Sequence, residues 1–91
     1  MLHIACYDIT DDKVRNQVSE GLLGFGTRIQ ESVFELLLDE ELYAKLMQMI
    51  SKIHLATEDK VRIYQVCAKC VQQVAIYGPG EVSKDPDFWM V

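Results

Sequence analysis

The stretch Leu2-His3-Ile4-Ala5-Cys6-Tyr7-Asp8-Ile9, followed directly by Thr10-Asp11-Asp12-Lys13, decides the fold. A short run of apolar, aromatic and β-branched residues that ends in turn formers reads as a buried strand, and the acidic residues after it read as the start of a helix. Asp8 therefore stands where a strand stops. Strand ends beside helix N-termini hold side chains rigidly and leave them reachable, so ligands and metals are often bound there. The plain structural reading of such an Asp is a turn or helix-capping residue.

Downstream, Thr10, Asp11 and Asp12 offer oxygens to the free N–H groups of a helix expected from about Asp11. Val14, Val18 and Leu22 recur at intervals of four and place one apolar face, and Gly24 and Gly26 end the helix. Thr27 to Phe34 alternates polar and apolar and runs into Leu36-Leu37-Leu38. A long bent strand and two strands with a tight turn near Glu35 both fit this pattern, and two strands are favoured. Asp39-Glu40-Glu41 caps a second helix whose Leu42, Leu46, Met49, Ile50 and Ile53 form its buried stripe, with Met47 and Met49 as core filling. Val61 to Val66 alternates as a fourth strand, Cys67 to Cys70 makes a turn, and Val71 to Ile76 has the composition of a fifth strand. Tyr77-Gly78-Pro79-Gly80 ends that strand, and the tail Glu81 to Val91 closes on the apolar Phe88-Trp89-Met90-Val91, which should dock on protein.

The resulting order is that of an α+β, ferredoxin-like βαββαβ sandwich with an additional C-terminal strand. Ninety-one residues make a single domain over 1–91, with 71–91 the added strand and tail. Two helices cover one sheet face only. With 49% hydrophobic residues, the surplus is best buried against a second copy, so a homodimer packed sheet on sheet, its tails docking on the partner, is expected. A net charge of −5 excludes nucleic-acid binding by bulk attraction and leaves local arginines, a metal ion or a basic partner to supply positive potential. No secretion signal or membrane span is visible, and the odd count of three cysteines suits a reducing, cytoplasmic setting.

Few residues form a chemical constellation. Cys67-x-x-Cys70 lacks the four ligands of a zinc site and lies between late strands rather than at a redox helix start, so structural thiols are the simpler reading. Gly21-x-x-Gly24-x-Gly26 ends a helix, the wrong order for a phosphate-cradling loop. His3, inside a strand, and His54, near a helix end, assemble no triad. Two copies paired about a two-fold would, however, bring two Asp8 carboxylates to one place. Such a pair suits Mg²⁺, which prefers oxygen ligands and keeps several waters.

Tyr7-Asp8-Ile9-Thr10-Asp11-Asp12-Lys13, Gly26-x-Arg28-x-Gln30-x-Ser32-Val33-Phe34-Glu35 and Val61-Arg62-Ile63-Tyr64 with Cys67-x-x-Cys70 resemble, in this order, the motifs of the small CRISPR-associated Cas2 proteins. Val61 to Tyr64, Cys67-x-x-Cys70 and Asp87-Phe88 in the tail are similar to one branch of that family. The resemblance implies a ferredoxin-like homodimer in which Asp8 is the metal ligand and catalytic residue at the subunit interface, with Mg²⁺ as its cofactor. It implies Tyr7, Arg15, Arg28 and Phe34 as supporting residues, the arginines toward phosphate and the aromatic rings packing or stacking beside the site. It further implies a part in spacer acquisition, with one homodimer bridging two dimers of the Cas1 integrase on DNA, and a metal-dependent endonuclease activity on single-stranded RNA or duplex DNA. Gln17 stands where some members reported as nucleases carry a basic residue, which with the acidic net charge favours the adaptor role over the enzyme. A toxin-like ribonuclease of the same fold is the alternative.

Overall fold

The computed structural model describes residues 1–78 of the chain. Strand β1 (Leu2–Asp8) leads into helix α1 (Asp12–Leu23), strands β2 (Gly26–Gln30) and β3 (Val33–Leu37), helix α2 (Glu40–Ser51), strand β4 (Lys60–Val66) and the single turn α3 (Ala68–Val71). The strands form one antiparallel sheet in the order β2-β3-β1-β4. This is the interleaved topology of a ferredoxin-like fold: each helix carries the chain between two parallel strands that have a third between them.

Both helices start where the acidic residues place them. The Asp11 carboxylate accepts hydrogen bonds from the amides of Lys13 (2.8 Å) and Val14 (3.0 Å), and Asp39 accepts one from Leu42 (2.8 Å). Each satisfies donors that the first helical turn leaves without an internal partner. The core lies between the helices and one sheet face, where Phe34, Leu22, Leu36, Leu46 and Val18 are wholly buried. Odd-numbered β1 residues Ala5 and Tyr7 point into it, joined by Ile9, while Val61 and Ile63 of β4 pack against its margin. The even-numbered residues of β1 consequently face the side without helices.

Two strands follow α1, as expected, but the reversal lies at Glu31-Ser32 rather than near Glu35. The reason is non-local. Tyr7 holds this turn from the neighbouring strand, its amide donating to the Ser32 carbonyl (3.2 Å) and its hydroxyl to the Glu31 carbonyl (3.0 Å). A register shift between Arg28 and Gln30 lets β2 twist into so short a connection. The expected fifth strand over Val71–Ile76 is not formed among the described residues: Val71 closes α3, residues 72 and 73 turn, and Val74 to Tyr77 lie irregularly with Val74 and Ile76 nearly half exposed. A strand exists only with a ladder partner, and none lies alongside this segment among the described residues. The tail Glu81–Val91 lies outside the described residues.

Gly26 marks a close approach of β2 to β3. A Cβ there would stand 2.6 Å from the Leu36 side chain and 2.9 Å from its Cα, with the Glu35 carbonyl oxygen nearer still. Gly26→Ala is therefore expected to destabilise the fold by about 1–3 kcal/mol, since strand backbone must move to admit one methyl group. Urea unfolding of this variant against Gly24→Ala, which sits at an ordinary φ of −70° outside the ladder, checks it.

His3 is buried beside the Tyr43 ring (5.4 Å between centroids), with its Nδ1 within 3.0 Å of the Met1 carbonyl. Burial lowers its pKa below the usual 6.5, against the opposing pull of that carbonyl. The unfolded chain therefore takes up a proton before the folded one does. Stability should be constant above about pH 6.5 and fall as pH drops from there toward the lowered value, a slope that His3→Asn removes. Unfolding midpoints between pH 7.5 and 5 measure it.

Candidate functional site

Asp8 ends β1 on the helix-free side of the sheet and is exposed. Its register partner on β4 is Lys60, and that of Cys6 is Arg62. Opposed residues of an antiparallel pair share a face with Cβ atoms about 4.5–5.5 Å apart. The carboxylate therefore has one cation directly across and a second one pair further along. Cys6, Tyr7, Asp8, Lys60 and Arg62 line a shallow groove of ≈ 310 Å³. Arg62 Nη1 donates to the Tyr64 hydroxyl (3.3 Å), which holds the guanidinium along the strand.

The other four residues implied as supports of Asp8 are arranged on the helix side. Phe34 is fully buried and Tyr7 nearly so, their rings 6.2 Å apart, so both pack and neither is open to a base. The Arg28 guanidinium lies over the Phe34 ring at 5.3 Å and donates to the Ser19 hydroxyl, which fastens β2 to α1. Arg15 donates to the Ile9 carbonyl (3.3 Å) and to the Asp12 carboxylate on the first turn of α1. Tyr7, Phe34 and Arg28 thus form one stack on the helix side, Arg15 braces the chain just past Asp8, and Asp8 itself faces the other way. Lys60 and Arg62, the cations that β4 sets on its face, were missed in the sequence; their signal was the alternation Lys60-Val61-Arg62-Ile63-Tyr64 once β4 is laid antiparallel to β1.

As a metal site, one chain offers little. No group of three His, Cys, Asp or Glu that could hold an ion occurs among the described residues. A single exposed carboxylate fits a cation such as Mg²⁺, which retains most of its waters and takes one or two carboxylates with substrate phosphates. It does not fit a closed structural site.

An antiparallel four-stranded sheet with helices on one face and a strand-end carboxylate opposite a cation on the other defines a small ferredoxin-like protein with an uncovered sheet face. The chain belongs to the CRISPR associated protein Cas2 family, whose model matches residues 1–74. It is 37% identical over 91 residues to a protein of Chloroflexus aurantiacus named CRISPR-associated endoribonuclease Cas2 3, covering 100% of this chain and 98% of that one. A Mycobacterium tuberculosis protein named CRISPR-associated endoribonuclease Cas2 is 35% identical over 88 residues, covering 97% of this chain and 75% of the other. Among solved structures, hypothetical protein TT1823 of Thermus thermophilus superposes with a TM-score of 0.76 at 36% identity, over 89% of this chain and 94% of that one. Streptococcus pyogenes Cas2 shares the fold, with a TM-score of 0.73 at 22% identity over 86% and 100% of the two chains. A chain of a partial Cas6-RT-Cas1–Cas2 complex matches with a TM-score of 0.64 at 26% identity, over 82% of this chain and 88% of that one. No helix among the described residues is long and apolar enough to cross a membrane.

Proposed function

We propose that this chain acts in CRISPR adaptation as a homodimer that bridges two Cas1 integrase dimers while new spacer DNA is inserted into the repeat array. The observation that carries the reading is the match to a chain of a Cas1–Cas2 complex by a protein of the Cas2 family. The sheet face supports it. Ile4, Val33 and Leu37 are only half buried there and Tyr64 is 49% exposed, an apolar patch that a second copy would cover. The segment after α3 exposes Val74 and Ile76, apolar surface that docking on the partner would cover. An integration assay with Cas1 and a repeat-bearing duplex tests the proposal. Spacer insertion should depend on this chain, and insertion by Cas1 alone at the same rate would contradict it.

Asp8 favours a second activity on the same dimer, endonucleolytic cleavage of single-stranded RNA or duplex DNA, and relatives that carry the name endoribonuclease support it. The two Asp8 carboxylates of a dimer would hold Mg²⁺; when bound, the ion lowers the pKa of a water and offsets phosphodiester charge. The chain's own part is to fix those carboxylates at rigid strand ends and to set Lys60 and Arg62 toward the phosphates. These two cations supply the local positive potential that a net charge of −5 denies the surface as a whole. Replacing both by Ala should weaken duplex binding and reduce the slope of log affinity against log salt by about two, since each phosphate contact contributes about one. Fluorescence anisotropy at several salt concentrations reads this out.

A further inference from the structure

The pair Cys67 and Cys70 takes no part in the functions proposed above. Both thiols are exposed, whereas Cys6 is partly covered in the sheet. Cys67 is the residue before α3 and Cys70 lies inside it, so the two sit on one face of a single turn that closes through the Val71 amide on the Cys67 carbonyl (3.0 Å). A disulfide requires Cβ atoms about 3.5–4.5 Å apart, and positions three apart on a helical turn hold theirs about 5–6 Å apart, so a small closure of this turn meets the requirement.

We propose that Cys67 and Cys70 form a reversible dithiol–disulfide couple that fixes the turn by which the chain leaves β4. The balance is that of thiol–disulfide exchange with a low-molecular-weight disulfide. The Cys67 thiolate attacks one sulfur of the disulfide, forms a mixed disulfide and expels one small thiolate, which takes up a proton. Cys70 then loses its proton, attacks the Cys67 sulfur and expels the second small thiol. Two protein thiols and one small disulfide become one protein disulfide and two small thiols, with two electrons passed to the reagent. The roles are asymmetric. The Cys70 amide, with the Cys70 thiol and the Lys69 amide after it, lowers the Cys67 pKa, while donation to Cys67 raises that of Cys70. Cys67 is thus the attacking sulfur and Cys70 the resolving one.

The couple acts on the C-terminal side of the molecule. Asp8 pairs with the first residue of β4 and Cys67 follows its last, so the thiols lie about 20 Å along the strand from Asp8. Oxidation locks the first turn of α3 and with it the departure of residues 72–78. The inference does not depend on Asp8, Mg²⁺ or Cas1.

The test uses the full chain, reduced and then equilibrated with oxidised and reduced glutathione at graded ratios, blocked with an alkylating reagent and digested with trypsin. Trypsin cuts after Lys69, between the two cysteines, so peptide 63–69 and the peptide beginning at Cys70 stay together only if a disulfide joins them. The expected result is this linked pair with Cys6 still alkylated. Cys70→Ser should instead accumulate glutathione on Cys67, and in wild type Cys67 should alkylate faster than Cys70 near neutral pH. Exchange of the Val71 amide should slow on oxidation. Separate glutathione adducts on both cysteines of wild type, links only between chains, or two thiols left free at every ratio would overturn the proposal.

Discussion

Asp8→Ala is expected to lower Mg²⁺-dependent cleavage of single-stranded RNA or duplex DNA by at least roughly a hundredfold, the scale of losing a group that stabilises transition-state charge. The same change should leave stability within about 0.5 kcal/mol, because Asp8 is exposed, caps no helix and belongs to no core contact. The pairing of large functional loss with small structural loss is what makes the variant informative. Removing Asp8 also frees Lys60 from its cross-strand carboxylate, so nucleic-acid affinity should hold steady or rise. Cleavage by the Ala variant at the wild-type rate, with chelator abolishing both, would move the metal to other ligands. Rates on labelled substrates with and without Mg²⁺, after the dimer content of both proteins has been matched, decide the matter.

Phe34→Ala is expected to destabilise the fold by about 3–5 kcal/mol, a large share of the total stability of a domain this size. Phe34 is fully buried on a central strand, with the Tyr7 ring on one side and the Arg28 guanidinium over its face. Its loss leaves a cavity and takes away the surface on which Arg28 rests before it reaches Ser19. The effect should extend to the β2–β3 turn, since the Tyr7 ring packed on Phe34 carries the hydroxyl that holds the Glu31 carbonyl. Urea unfolding gives the size of the loss. Phe34→Leu, which keeps most of the volume without the π face, should recover more than half of it and isolate the cation–π part, about 0.5–1 kcal/mol.

Tyr7, Phe34, Arg28 and Arg15, named through the family resemblance, hold the framework from which Asp8 projects. That Tyr7 packs on the helix side was legible in the alternation of β1, where it shares a face with Ala5 and stands opposite to Asp8. The helix starts were legible as well, because a cap is local chemistry: Asp11 and Asp39 each act on amides within three residues. The β2–β3 turn was not. Glu31-Ser32 carries no Gly, Asn or Pro, and what bends the chain there is a clamp from β1, distant in sequence. Lys60 and Arg62 were hidden for a related reason. Only the register of β1 against β4 sets them beside Asp8, and register follows from the whole sheet. The segment Val71–Ile76 has strand composition and no strand, because propensity supplies side chains that suit a sheet and cannot supply the neighbouring edge.

Bridging of two integrase dimers is tested by the mass of the assembly that the purified chain forms with Cas1, read by sedimentation equilibrium or native mass spectrometry. One species holding two copies of this chain and four of Cas1 is expected, and the same species is expected for Asp8→Ala, because the proposed bridge draws on the fold rather than on the carboxylate. Two proteins that sediment independently at micromolar concentration in the presence of spacer DNA, or an assembly with a single copy of this chain, would contradict it.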